Sequence, residues 1–161
     1  MSPPLRFATA MFRIIAIVLT VVFVATAAAA LKSLTFVMGD AGHNVGIVFA
    51  YWLGMLPQGF CLSALWVATN VVGRLNKGDA FNAAVTKGLR GIGLNLILSA
   101  LSAIVFAPVF KPLFENLGHG LLLGLAVNLD VESVTIGMIG LVLYLVAHQG
   151  RTIKAELESF V

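Results

Sequence analysis

IIAIVLTVVFVATAAAAL, residues 14–31, runs for eighteen residues without a charge and with two hydroxyls, Thr20 and Thr26. Crossing the hydrocarbon core of a bilayer takes about 20 mostly apolar helical residues. Carried on to Leu34, the run meets that requirement. The same residues admit a second reading. Arg6 and Arg13 precede the apolar stretch and ATAAAA (25–30) precedes Leu31, which is the order of a signal peptide with an A-x-A site. An uncleaved first span is the expectation adopted.

The rest of the chain asks for the same solvent. Of 161 residues, 60% are hydrophobic and 11% charged, and the mean hydropathy is +1.01. Soluble domains carry about 25% charged residues, so this chain lacks the polar surface to cover itself in water. Three further spans follow, at about 45–72, 89–109 and 133–148, with Pro108 and Pro112 expected to stop the third. LLLGLAVN (121–128) is too short to cross; it reads as an interfacial or re-entrant piece, or an early start to the fourth helix. The fold class expected is an all-α membrane protein, a four-transmembrane-helix bundle making one membrane domain over residues 1–161.

Charge placement orients the bundle. With both termini inside, Arg6, Arg13, Arg74, Lys77, Lys87, Arg90, Arg151 and Lys154 are cytoplasmic, against the acids Asp79, Glu156 and Glu158. Outside lie Lys32 and Lys111 with Asp40, Glu115, Asp130 and Glu132. Cytoplasmic loops of membrane proteins are enriched in Lys and Arg, so the expectation is N-in and C-in, in a bacterial inner membrane.

Small residues recur every fourth position at Gly42, Gly46, Ala50 and Gly54, one face of the second helix. In lipid, helices associate through close backbone approach and interhelical hydrogen bonds. The ridge therefore suits packing inside one subunit, the expected use, or a homodimer face. Leu at Gly46 or Gly54 should destabilise, whereas Val48→Leu, off the ridge, should not. Pro57 removes an amide donor from the Leu53 carbonyl, so a kink is expected there, with Gln58 turned to the bundle. It is read as static rather than as a hinge. Asn95, Ser99 and Ser102 form a polar stripe on the third span, with Gly91 and Ala103 near it, and Gly137, Gly140, Tyr144 and His148 share a face of the fourth. Hydrogen-bonding glue is the plain role of such stripes, and a polar cavity for a small ligand the sharper one. No span carries a charge near its centre, which argues against an ion-coupled pump.

No catalytic motif appears: no phosphate-binding glycine loop, no G-x-S-x-G elbow and no H-E-x-x-H helix. Cys61 is alone, which excludes an internal disulfide, and is expected to be a small buried hydrophobe. His43 and His119 with Asp40 or Glu115 lack metal-ligand spacing. No enzyme activity, cofactor, metal or direct nucleic-acid partner is expected. On the cytoplasmic side, Asp79 is a plausible N-cap for an interfacial helix from Ala80 to Lys87. Phe81 would sit there at headgroup level, with Lys77, Lys87 and Arg90 facing anionic lipid. RTIKAELESF (151–160) reads as a helical extension into the cytoplasm, either merely solvated or a docking site.

GDAFNAAVTKGLRGIG (78–93), the four-span layout and the closing LYLVAHQGRTIKAELESFV (143–161) resemble a family of small bacterial membrane proteins catalogued as a domain of unknown function. Its members pair a G-x-x-F loop before the third span with a charged segment after the fourth. Gly78 and Phe81 fill the loop positions, and Gly150, Arg151, Glu156 and Glu158 fall in the tail. Some relatives are encoded beside small helix-turn-helix regulators, so the resemblance implies a sensor or a membrane partner of a cytoplasmic regulator. It supplies no catalytic residues. The function expected is a non-enzymatic sensor or regulatory module acting through its basic cytoplasmic face, Arg74, Lys77, Lys87, Arg90, Arg151 and Lys154. The alternative is binding or transport of a small molecule or lipid through Gln58, Asn95, Ser99, Ser102 and Tyr144.

Overall fold

The computed structural model describes residues 3–34, 41–76, 81–115 and 129–159. The described residues are all helical apart from Leu129 and Asp130. Helix α1 spans Pro3–Leu34, α2 Ala41–Asn76 and α3 Phe81–Leu101. A π-helical turn over Ser102–Phe106 joins α3 to α4, Ala107–Glu115, and α5 spans Val131–Ser159. Four stretches are long and apolar enough to cross a membrane: Ala10–Ala29, Val45–Arg74, Val85–Phe114 and Val131–Gln149. Four such stretches among the described residues agree with the four spans read from the sequence.

The helices run antiparallel in succession. At one end Arg13 of α1 lies beside Gly73 of α2, and at the other the Trp52 indole donates to the Ala27 carbonyl at 3.2 Å. Between these points the Trp66 indole donates to the Thr20 hydroxyl at 3.0 Å. α3 returns along α2, with Gly91 against Val67 and Ser99 against Pro57. α5 then runs antiparallel to α3, with Gly137 at Ala100 and Tyr144 at Gly93. α1 packs on α2 alone among the described helices. The beginning of α1 and the far part of α5 therefore share one end of the bundle.

The interior is made mainly of small residues, with Val48 and Met55 the larger exceptions. Ala16, Ala50, Ala64, Ala100, Ala147, Thr69, Ser99 and Ser102 are buried, while Ile14, Val18, Val21, Phe106, Met138, Leu141 and Val146 are exposed. That reversal is what lipid requires. Large apolar side chains gain nothing by leaving hydrocarbon for a neighbouring helix, whereas small ones let backbones approach.

The third span departs from expectation. It begins at Phe81 rather than 89 and passes Pro108 and Pro112 without stopping, to Glu115. The expected interfacial helix is therefore the opening turns of α3. The π-turn explains the passage. The Ala107 amide donates to the Ser102 carbonyl, five residues back, and the widened turn lies immediately before Pro108. Such bulges relieve the hydrogen-bond mismatch and clash that a proline creates. α5 continues past His148 to Ser159, as the extension of its charged tail implied. Asp79 and residues 121–128 lie outside the described residues.

Candidate functional site

At Gly93 and Gly140 the backbones of α3 and α5 meet directly. A Cβ added at Gly93 would stand 2.6 Å from the Gly140 carbonyl oxygen, and one at Gly140 would stand 2.8 Å from that of Gly93. The glycine face of the fourth span thus packs on the third, as its composition suggested. The ridge of the second helix behaves differently. Gly46 and Ala50 are buried, but an added Cβ at Gly54 meets nothing within 4 Å. Val48, expected off the ridge, is 4% exposed and belongs to the core. Packing therefore ends one turn early, and Gly54 opens onto a cavity instead. Gly42 lies in α2, with its surroundings outside the described set.

That cavity, about 580 Å³, lies between α1, α2, α3 and α5. Its wall is mostly apolar, from Leu19, Val22, Phe23, Leu62, Leu65 and Ile136, with Thr26, Gln58, Cys61, Ser99, Glu132 and Ser133 as polar members. Because α1 touches only α2 among the described helices, none of them closes the gap between α1 and α5. A second space of about 420 Å³ adjoins it, sharing Thr26, Gly54, Met55 and Gln58 and adding Tyr51 and Lys111.

Pro57 organises the polar wall. The orphaned carbonyl was expected at Leu53; the interhelical donor reaches Pro57 itself, whose carbonyl accepts from the Ser99 hydroxyl at 2.8 Å. The Cys61 sulfur lies 3.2 Å from the same hydroxyl. Cys61 is half-buried on the cavity wall, not in an apolar core. Of the polar stripe on α3, Ser99 alone is bonded across to α2. The Asn95 amide donates to Gly91 of its own helix at 2.9 Å, and the Ser102 hydroxyl to the Ser99 carbonyl at 2.8 Å. These two satisfy local backbone groups rather than glue helices. Gln58 is accessible and borders both spaces.

Charge separates by end. Arg13, Arg74, Lys87 and Arg90 gather where α1 begins and α2 ends. The Arg90 guanidinium lies 5.7 Å from the centre of the Tyr144 ring, which stacks on His148 with centroids 6.5 Å apart. Such cation–π contacts fix an otherwise mobile side chain. At the opposite end Asp130 caps α5: its carboxylate accepts from the Ser133 amide and the Ser133 hydroxyl, each at 2.7 Å. Those two bonds, the amide first, hold the Asp130 carboxyl below its ordinary value. The cap was missed in the sequence, although D-V-E-S before an apolar run is a recognisable start signal. Aromatic contacts close this end, Phe49 stacking on Phe114 at 5.6 Å.

Lys77, His119 and Asp40 lie outside the described residues, as do the side chains of His43, Glu115, Arg151 and Lys154. The metal reading and part of the basic face fall on these positions.

Residues 39–161 match the family described as "Protein of unknown function (DUF2975)", and the chain belongs to that family. The match takes in α2 to α5 and leaves α1 ahead of it. No curated protein and no solved structure matches the chain.

Proposed function

We propose that this family member is a non-enzymatic, multi-pass protein of the bacterial inner membrane that holds an amphipathic small molecule or lipid between α1, α2, α3 and α5. The cavity carries this reading. Bundles in lipid close on small residues wherever they can, yet here Gly54 faces open space and Gln58, Cys61 and Ser99 line an apolar chamber. Ligand sites have this composition, an apolar wall with a few placed polar groups. The side between α1 and α5, which no described helix closes, gives a hydrophobic molecule a route from the bilayer.

The test uses purified protein in mild detergent. Its extract, read by mass spectrometry, should contain a species above the bulk lipid background. Occupancy should slow alkylation of Cys61 by a membrane-permeant maleimide. Gly54→Phe should fill the chamber, remove that species and leave thermal stability unchanged. If wild type and variant carry identical bulk lipid, the binding reading is wrong.

A sensor or regulatory role through the basic end is the second reading, supported by the gathering of Arg13, Arg74, Lys87 and Arg90 there. In that reading the termini are cytoplasmic and ligand occupancy is passed to a cytoplasmic protein. Capture of one such protein by crosslinking, lost when Arg74 and Lys87 are neutralised, would support it. Failure to capture any would count against it.

A further inference from the structure

We infer that the groove between α2 and α3 at the basic end is a binding site for the phosphodiester headgroup of an anionic membrane lipid. The space measures about 270 Å³ and is separate from the chamber described above. Arg74 and Lys87 form its cationic rim with the Asn70 amide, and Val67 and Val71 form an apolar wall. No carboxylate lines it. Gly88 and Gly91 form its floor: a Cβ at Gly88 would collide with Val71 and one at Gly91 would stand 3.1 Å from Val67, so α3 packs directly on the valines of α2 beneath the cationic rim.

Position decides the source of the phosphate. Arg74 closes the second span and Lys87 lies two residues inside the third, so the rim sits where hydrocarbon meets headgroups. Both side chains are exposed, and their alkyl stems can run along apolar surface while the charges stay in the polar layer. Arg offers a planar pair of donors to two phosphate oxygens and Lys a point charge beside them. Basic pockets between transmembrane helices take lipid phosphates in this way. A free anion would have no use for the valine wall below the rim, whereas the glycerol and first methylenes of a lipid would.

Arg90 supplies the control. It has the same charge and lies three residues from Lys87, but it is engaged on Tyr144 and does not line the groove. The experiment reconstitutes the full chain in nanodiscs of phosphatidylcholine with one-tenth phosphatidylglycerol and measures retained phosphatidylglycerol by native mass spectrometry. Arg74→Gln or Lys87→Gln should weaken retention about fivefold, and both together about thirtyfold, at roughly 1 kcal/mol per cation near a membrane surface. Arg90→Gln should change it little, and Arg74→Lys with Lys87→Arg should keep most of it. Thermal unfolding in zwitterionic detergent checks that the variants fold. An equal loss in Arg90→Gln would reduce the effect to net charge and overturn the site. Displacement of the lipid by inorganic phosphate or glycerol phosphate at comparable concentration would overturn the lipid source. The readout is independent of the chamber, because Gly54→Phe should leave phosphatidylglycerol retention intact.

Discussion

At the scale of single residues, the same residue type plays opposite parts. Gly93 and Gly140 hold two backbones in contact, and any side chain there must push them apart. Overpacking of this kind costs about 1–3 kcal/mol, so Gly93→Leu and Gly140→Leu should each lower the thermal midpoint in detergent. Gly54→Ala, which adds a methyl group to open space, should not. Asp130 gives a pH-dependent counterpart. Its carboxyl titrates lower in the folded chain than unfolded, so the cap contributes stability above the unfolded value, about 3.9, and loses it as pH falls through the lower folded value. The midpoint difference between wild type and Asp130→Ala should be constant from pH 7 to about pH 5 and shrink in stronger acid. A constant difference down to pH 2 would contradict the cap. Spacing revealed that Gly42, Gly46, Ala50 and Gly54 share a face, but not where along that face the neighbour ends. That depends on the path of another helix, which periodicity does not encode.

Among the elements, α3 and α4 act as one bent rod through the π-turn. One deletion tests the turn. Removing Ala103 takes out the extra residue of the widened turn, restoring four-residue bonding and bringing back the clash that Pro108 makes with the turn before it. A lower midpoint with undiminished helix content by circular dichroism is the expected result; an unchanged midpoint would mean that the widened turn is dispensable. The spans themselves were legible, since a long apolar run has few alternatives in water or lipid. Their ends were less so. Pro108 and Pro112 carry the ordinary signature of a stop, and what defeats it is a hydrogen bond five residues back, invisible to any one-residue rule. The Ser99 to Pro57 bond illustrates the same limit: the carbonyl released by the proline, that of Leu53, was foreseeable, but the bond from α3 goes to the Pro57 carbonyl instead.

For the whole molecule, charge pattern and packing agree on which ends belong together. Arg13, Arg74, Lys87 and Arg90 share one end, and Lys111, Glu132 and the capping Asp130 lie at the other. The proposed orientation follows from that pattern and has a direct check. In a Cys61-free background, single cysteines near 40 and 130 should be modified from outside intact cells, while those at 79 and at the C-terminus should be protected. The reverse pattern would invert the molecule. The bundle was legible in the sequence because the solvent was; the chamber was not, because it is a gap left where α1 packs, among the described helices, on α2 alone.

That gap also has an order in time. α1 and α2 leave the ribosome before α3, and their pairing makes most of the chamber's wall before α3 exists. Glu132, Ser133 and Ile136 complete it only when the last span has been translated and laid against α3. The chamber is therefore a late product of synthesis, its described wall completed by α5, and a nascent chain halted before Val131 would hold paired helices around an unfinished chamber.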